Sequence, residues 1–426
     1  MHDIVLPTFE SASPHFRLER DKHWNDAVKQ NIAELRVMPH IRPASYKRVV
    51  DDMRARDTLE SNSGWPDFTR RNKPEVIANA VAAAQNGQWA EFPAIALFRN
   101  YRQKTRLVWM FPMSANLYEG SYFQPLQSGI VNSGLEFYAP WVGFERVRAL
   151  ITRTYASGDY IFASDFSSTD SHFRWPATRS VNTVLSTLVA TDRDGLERSL
   201  WHMHNIPLII GTDKMLTGEH GVSSGSNWTN FVETVFDRTF SYFVQAHTGV
   251  KGLYAIGDDM AWTSRSMKEG FAEDLEHLAS EAGQITKSEK TMCDPDKVKT
   301  LQRLFQRGYS RPDGQLRGVY PTIRALNSLI YPERFHKPSD WSSDMFCARC
   351  YMILENCVDH PLFEEFVKFV VKGQKDLIPF AQRGAAALDR IQRKSKLLPG
   401  LNPTYTAEKR DSSLASFASI RVARMI

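Results

Sequence analysis

The chain has 426 residues and a mass of 48.7 kDa, enough for two or three packed subdomains. Hydrophobic residues at 42% and charged residues at 24% are ordinary for a globular protein, which excludes disordered, collagen-like and low-complexity architectures. No apolar run approaches the roughly 18 residues of a membrane span, residues 1–7 lack the basic-then-apolar order of a secretory signal, and four cysteines make no disulfide framework, which suits a reducing compartment.

Lys and Arg exceed Asp and Glu by 53 − 48 = 5, a mild surplus that permits an anionic partner without requiring one. Its location is more informative. Residues 285–334 hold ten Lys or Arg against five acids, an excess equal to that of the whole chain. A solvated basic face would have this composition. So would the wall of a phosphate-lined channel, where clustered cations bind a polyanion by counterion release.

In chain order, the first hundred residues read as mostly helical and polar, broken by the loop signal Ser61-Asn62-Ser63-Gly64-Trp65-Pro66. Ala-rich residues 75–86 predict a helix stopped by Gly87. Residues 107–111 predict a short strand between Arg106 and Pro112, and residues 160–164 a second strand that runs into Asp165. Three glycines and two serines within 218–225 predict a flexible loop. A long helix follows from about Asn227 to His247, with Ser226 as its N-cap. Two short strands, 253–256 and 260–263, flank Gly257-Asp258-Asp259 in a hairpin pattern. Ser266-Met267-Lys268-Glu269 has the form of a capping box. Phe271, Leu275, Leu278 and Ala282 then give the next helix one buried stripe, and the C-terminal third reads as helical.

Chemistry concentrates at a few places. Gly257-Asp258-Asp259 sets two carboxylates at a hairpin tip, where like charges repel, although Asp-rich turns also occur for no chemical reason. Asp165-Phe166-Ser167-Ser168-Thr169-Asp170 ends a strand on a carboxylate; a helix cap would account for Asp165 equally well. A strand-end carboxylate beside a hairpin-tip carboxylate makes a site for two divalent cations and phosphoryl transfer, and such oxygen donors suit Mg²⁺ or Mn²⁺. The stretch from His220 to Thr229 offers backbone amides for phosphate and room for a nucleic-acid strand, and an ordinary solvent loop would look similar. Lys104 and Arg106 alternate on one side of an extended segment and would neutralise a triphosphate; a plain basic surface strand would look the same. Cys347-x2-Cys350 followed by Cys357-x2-His360 has a zinc-like spacing within a stretch, 344–371, that reads as helical. In one helix Cys347 and Cys357 would stand about 15 Å apart at 1.5 Å per residue, too far to share one ion with sulfur ligands at ~2.3 Å. Buried structural cysteines are the better reading, and His202 and His204 read as satisfied or solvated.

In order and spacing these pieces resemble viral RNA-dependent RNA polymerases, most closely those of small double-stranded RNA viruses, the picobirnavirus and partitivirus group. Ser63-Gly64-Trp65-Pro66 resembles the template-guiding loop, and Lys104-Thr105-Arg106-Leu107-Val108-Trp109-Met110-Phe111-Pro112 the basic fingers motif. The Asp165-to-Asp170 segment, Ser224-Gly225 with Thr229, and Gly257-Asp258-Asp259 resemble the palm motifs in the family's order. Glu289-Lys290-Thr291 resembles the lysine motif that follows, and Leu304-Phe305-Gln306-Arg307 the primer-grip turn. The likeness spans about residues 60–310. It departs from the pattern at Glu233, where many relatives carry asparagine, and Lys287 competes with Lys290 for the acid role.

The resemblance implies an α+β, right-hand polymerase fold with an antiparallel palm sheet packed on helices. Fingers would take residues 1–155, with an N-terminal extension, and an insertion at 176–225. Palm would take 156–175 and 226–310, and thumb 311–426. The implied activity is template-directed RNA synthesis from ribonucleoside triphosphates, replicating and transcribing a viral RNA genome. Asp165, Asp258 and Asp259 would hold two Mg²⁺ or Mn²⁺ ions and Lys290 would protonate the leaving pyrophosphate. Lys104 and Arg106 would bind the triphosphate. Asp170, Thr229 and Glu233 would surround the ribose, and Ser63, Gly64, Ser224 and Gly225 would line the RNA path. Implied partners are template and product RNA, nucleotides and a viral capsid protein, with no membrane; the implied location is the virion interior or host cytoplasm. A reverse transcriptase shares the palm but usually presents an aromatic residue where Ile256 stands here. A metal-dependent sugar transferase would not need Ser224-Gly225 or the Lys104 segment. An RNA-binding structural protein with an inactive polymerase fold would not need all three carboxylates intact.

Overall fold

A computed structural model describes residues 2–10, 13–101, 104–331, 337–398 and 412–426; Arg334 of the basic stretch lies outside them. The chain divides into two compact units, one of residues 1–98 with 105–300, the other of residues 99–104 with 301–426.

The first unit mixes helices with two four-stranded sheets, except that residues 99–101 of the first strand and residue 104 of the second belong with the other unit. One sheet has the order β2-β1-β4-β5, from β1 (Ala94–Tyr101), β2 (Lys104–Met110), β4 (Leu208–Ile209) and β5 (Met215–Leu216), and its β1–β4 pair is parallel. The other has the order β6-β7-β3-β8, from β3 (Tyr160–Asp165), β6 (Lys251–Ile256), β7 (Asp259–Ser264) and β8 (Met292–Cys293), and every pair is antiparallel. The fold is therefore α+β, with the expected antiparallel sheet carrying Asp165 and the Asp258 hairpin.

Ile161, Phe162, Ala163 and Ser164 of β3 are all buried, so both faces of this strand are covered. Helix Phe144–Ala156 packs on β3 and helix Trp228–Thr248 on β6. The helix supplies Phe240, whose ring lies edge-on to Trp262 of β7 at 6.1 Å; Trp262 in turn meets Phe271 at 5.7 Å. Trp262 Nε1 donates to Ser164 Oγ at 2.9 Å, so its polar handle is satisfied inside the core. Deleting a buried aromatic ring of this size costs about 3–5 kcal/mol, which makes the sheet a stiff platform for the carboxylates at its edge.

Several local expectations hold. The Ala-rich helix is Pro74–Asn86, closed by Gly87 in the left-handed conformation. Others need correction. Residues 220–223 are buried rather than a flexible solvent loop. The helix after them begins at Trp228 with Asn227 as N-cap, although the Ser226 hydroxyl does accept the Trp228 N–H at 3.1 Å. The capping-box spacing at residues 266–269 is not used: the helix is Phe271–Glu281, and Gly270, with φ 78°, turns the chain into it without a side-chain cap.

The second unit is mainly helical beyond residue 321, built from Thr322–Ile330, Ser343–Glu355, Phe363–Gly373, Leu377–Ala381, Ala385–Lys396 and Ala418–Arg424. Its core joins Tyr351, Leu354, Val367, Phe380, Leu388 and Ile420. Cys347, Cys350 and Cys357 are part of that core, where burial pushes their thiols up to about 11, 12 and 12. The helix stops at Glu355, so Cys357 lies in the turn beyond it rather than in one continuous helix. The basic stretch is not one uniform face. Arg303 is buried and donates to the Asn356 carbonyl at 2.8 Å, and Arg311 pairs with buried Asp359 at 2.8 Å. Among the described residues no helix is long and apolar enough to cross a membrane.

Candidate active site

The sheet register brings the acids together. Asp165 ends β3 directly opposite Asp259, which begins β7. Gly257 and Asp258 form the two-residue turn between Ile256 and Asp259, which pair across the hairpin. Gly257 has φ 61°, the conformation a tight hairpin asks of its first turn residue, and its amide donates to Thr234 Oγ1 at 2.9 Å. The Phe166 amide donates to the Asp258 carbonyl at 3.0 Å, locking the turn to the end of β3.

These carboxylates reach solvent but are ringed by protein and by each other. Burial, then Asp258, raises the Asp165 carboxyl to about 6, with Lys290 opposing. Burial, then Asp258 and Asp165, raises Asp259 to about 7. Asp170 is raised to about 6 by burial and by Asp258, against the pull of Arg106. Burial raises Asp258 as well, with Arg106 again opposing. Behind them, Glu233 and Asp237 are buried in helix Trp228–Thr248, and both stand well above the ordinary carboxylate range. Burial is the main cause, followed by Asp170 and Asp258 for Glu233, and by Glu233, Asp258 and Asp259 for Asp237. Both Asp237 oxygens lack a hydrogen-bond partner among the described residues.

Among the described side chains, six acids thus stand against two cations, Arg106 and Lys290. Clustered negative charge of this kind is destabilising on its own and is relieved by a bound cation. The donors are hard oxygens, which suits Mg²⁺ or Mn²⁺. Among the described residues no group of three or more His, Cys, Asp or Glu side chains is already arranged to hold a metal ion; the fit rests on the chemistry and charge of Asp165, Asp258 and Asp259.

Residues 101–333 match the family model for viral RNA-dependent RNA polymerases. A potential RNA-dependent RNA polymerase of human picobirnavirus (strain Human/Thailand/Hy005102/-) is 34% identical over 372 residues, covering 81% of this chain and 68% of the relative. The chain belongs to the viral RNA-dependent RNA polymerases. In fold, it is similar to the crystal structure of a human picobirnavirus RNA-dependent RNA polymerase, with a TM-score of 0.81, 23% identity, and coverage of 99% of this chain and 82% of that one. An insertion-loop deletion mutant of such an enzyme gives a TM-score of 0.80 and 25% identity over the same shares.

The other residues singled out in this polymerase fall into place unevenly. Lys290 lowers the Asp165 carboxyl, whereas Lys287 lowers that of Glu276. The Lys104 side chain lies outside the described residues. Thr229 donates to the Ser223 carbonyl at 2.6 Å, tying the helix start to the loop before it and leaving its oxygen as an acceptor. Ser224 Oγ accepts the Trp109 amide at 3.3 Å, and a Cβ on Gly225 would stand 2.0 Å from the Trp109 carbonyl oxygen. The glycine at 225 therefore lets the loop pack on β2, the strand that carries Arg106. Ser63 is buried and its carbonyl accepts the Met113 amide at 2.8 Å, while Gly64 lies directly against the Phe111 carbonyl.

Three contributors escaped sequence reasoning. Buried Glu119 accepts hydrogen bonds from Ser226 Oγ (2.6 Å), the Asn227 amide (2.8 Å) and Asn116 Nδ2 (3.2 Å), fixing the turn into helix Trp228–Thr248. Asp237 follows Glu233 by one helical turn, and that spacing was its signal. The N-terminal segment also braces the site. The Thr8 carbonyl accepts the Gly221 amide at 2.9 Å, Phe9 stacks on Trp109 at 5.9 Å, and Arg174 donates to the carbonyls of Ser171 (2.7 Å), Pro7 (3.4 Å) and Glu10. No motif marks residues that contribute through their carbonyls.

Proposed function

We propose that this polymerase synthesises RNA on an RNA template by two-metal nucleotidyl transfer and thereby replicates and transcribes a viral RNA genome. The observation that carries the mechanism is the Asp165–Asp259 register pair beside Asp258 at the hairpin tip. Two Mg²⁺ or Mn²⁺ ions held by Asp165 and Asp258, with Asp259 supporting their charge, would activate a 3′-hydroxyl and neutralise the departing pyrophosphate. The protein's own groups do the rest. Arg106, joined by Lys104, holds the triphosphate, and its proximity to Asp170 and Asp258 sets that anion next to the carboxylates. Lys290 donates a proton to the leaving pyrophosphate, a role worth about 10²–10⁴ in rate. Asp170 and Glu233 form a polar wall for the ribose; the closeness of the two acids supports it. Ser63, Gly64, Ser224 and Gly225 shape the path of the RNA.

In this reading fingers occupy residues 1–155 and 176–225, palm 156–175 and 226–310, and thumb 311–426. A viral capsid protein is a further partner, and the enzyme works in the virion interior or host cytoplasm. The test is incubation of the purified chain with a defined RNA template and labelled nucleotides, with Mg²⁺, Mn²⁺ or chelator. Metal-dependent incorporation of ribonucleotides complementary to the template supports the proposal. Incorporation of deoxynucleotides at equal rates would favour a reverse transcriptase, and RNA binding without any synthesis would favour a structural role.

A further inference from the structure

The turn that carries Asp258 rests on helix Trp228–Thr248. Gly257 is buried while Asp258 beside it is exposed, so the turn has an inner and an outer residue. The strand register pairs Ile256 with Asp259 and leaves both turn residues outside the ladder. The Gly257 amide is taken up by the helix instead, donating to Thr234 Oγ1 at 2.9 Å. Thr234 is 0% exposed, and its hydroxyl gives its one proton to the Asn230 carbonyl, a helical turn back, at 2.7 Å. With that proton committed, the oxygen presents only lone pairs to the hairpin, and the Gly257 amide is the donor that fits them.

A second contact is steric. A Cβ on Gly257 would stand 2.7 Å from Asn230 Nδ2 and 3.3 Å from a Glu233 carboxylate oxygen, so this face of the helix lies directly on the turn. Asn230 is itself held in place. Its Oδ1 accepts the Trp141 indole N–H at 3.2 Å. Trp141, in the short helix Ala139–Val142, lies flat on Phe231 at 5.3 Å with 7° between the rings, and stacks on Tyr138 at 5.1 Å. The contacts therefore run from a packed aromatic group through Asn230 and Thr234 to the residue that precedes Asp258. Thr234 is uncharged and fully buried, so whatever it contributes to the reaction passes through the turn.

We infer that Thr234 is a positioning residue of this polymerase: its hydroxyl fixes the Gly257 peptide, and through it the direction in which Asp258 presents its carboxylate to a divalent cation. The Phe166 amide holds the same turn from the other side through the Asp258 carbonyl. Between them, the two hydrogen bonds leave the Asp258 backbone little freedom to swing. Partners that orient a metal ligand without touching the metal are typically worth about 10–100-fold in affinity or activity. The inference rests on Asp258 being a metal ligand.

The test uses the full chain with Mn²⁺ as the probe, read by electron paramagnetic resonance without nucleotide, alongside single-turnover incorporation on an RNA primer–template. Mn²⁺ bound by wild type but not by Asp258→Asn defines the site. Thr234→Val keeps the shape of the side chain and removes the acceptor, whereas Thr234→Ser keeps the acceptor. Thr234→Val should weaken Mn²⁺ binding and slow incorporation, each by about 10–100-fold, with RNA affinity unchanged. Thr234→Ser should return both close to wild type. Thr234→Ala, which also lacks the acceptor and adds no bulk, takes the place of a Thr234→Val protein that does not fold. Thr239→Val is the control for packing. Its hydroxyl accepts from Asn31 Nδ2 at 3.0 Å on the same helix, so that variant should lose stability to urea without any change in Mn²⁺ binding. Mn²⁺ binding and incorporation in Thr234→Val equal to wild type would overturn the inference and leave the two-metal reading standing, as would an equal loss of Mn²⁺ in Thr239→Val. Incorporation by wild type in chelator would overturn the two-metal reading and this inference with it.

Discussion

Replacing Glu119 by glutamine removes the charge of this carboxylate while keeping its shape and one of its acceptor oxygens. Burial is the main cause that lifts its carboxyl from 4.5 to about 7, and the hydrogen bonds from Ser226, Asn227 and Asn116 only partly offset it. Between pH 4.5 and 7 the folded chain therefore holds a proton that the unfolded chain has released. Stability falls as pH rises through that window and levels off above about 7. The full gap corresponds to about 3 kcal/mol. Glu119→Gln should abolish this slope and leave the protein about 1–3 kcal/mol more stable than wild type at pH 8, because the Ser226 hydroxyl can rotate to accept from the new amide. Glu119→Ala should behave oppositely: it strands the Asn227 amide, leaves the Ser226 hydroxyl without its acceptor and opens a cavity, costing about 2–4 kcal/mol at every pH. Urea unfolding of the three proteins from pH 5 to 8.5 in chelator measures this directly. The wild-type-minus-variant difference separates Glu119 from Asp165, Asp170 and Asp259, which slope in the same direction. An identical slope in wild type and Glu119→Gln would refute the reasoning.

Gly225→Ala forces a Cβ to within 2.0 Å of the Trp109 carbonyl, so the loop or β2 must move; a stability loss of about 1–3 kcal/mol and a larger loss of elongation are expected, and an unchanged melting curve would contradict the packing role. Lys290→Leu should slow single-turnover incorporation more than it weakens nucleotide affinity, while Lys287→Leu should be close to wild type, since Lys287 sits by Glu276. A larger rate loss at Lys287 would reverse the assignment. Asp170→Ala should lose discrimination against deoxynucleotides by more than it loses overall rate, because a site that bonds a hydroxyl rejects the analogue without one; equal slowing for both sugars would make Asp170 structural.

Much of the site was legible because it lies on short, strongly patterned strands. The apolar run before Asp165 and the two runs around Gly257-Asp258-Asp259 read as strands, and strand pairing then sets Asp165 opposite Asp259. The second sheet was less legible: β4 and β5 are two residues each, too short to show a period. The loop at 218–225 was misread because glycine and serine serve flexible loops and close packing alike, and sequence does not show that the Trp109 and Asp170 carbonyls lie beneath Gly225 and Gly221. Glu119 was missed because a single acid in a long helix carries no spacing signal; its meaning comes from a turn more than a hundred residues away. The N-terminal brace was missed because Thr8 acts through its backbone, which any residue could supply.

The most direct test of the central claim is metal-titrated single-nucleotide incorporation on an RNA primer–template, comparing wild type with Asp258→Asn. Wild type should extend only with Mg²⁺ or Mn²⁺, and Asp258→Asn should lose at least a thousandfold in rate, on the order of 4 kcal/mol of transition-state stabilisation, while keeping its RNA affinity. Extension by Asp258→Asn within tenfold of wild type, or extension by wild type in chelator, would contradict the account.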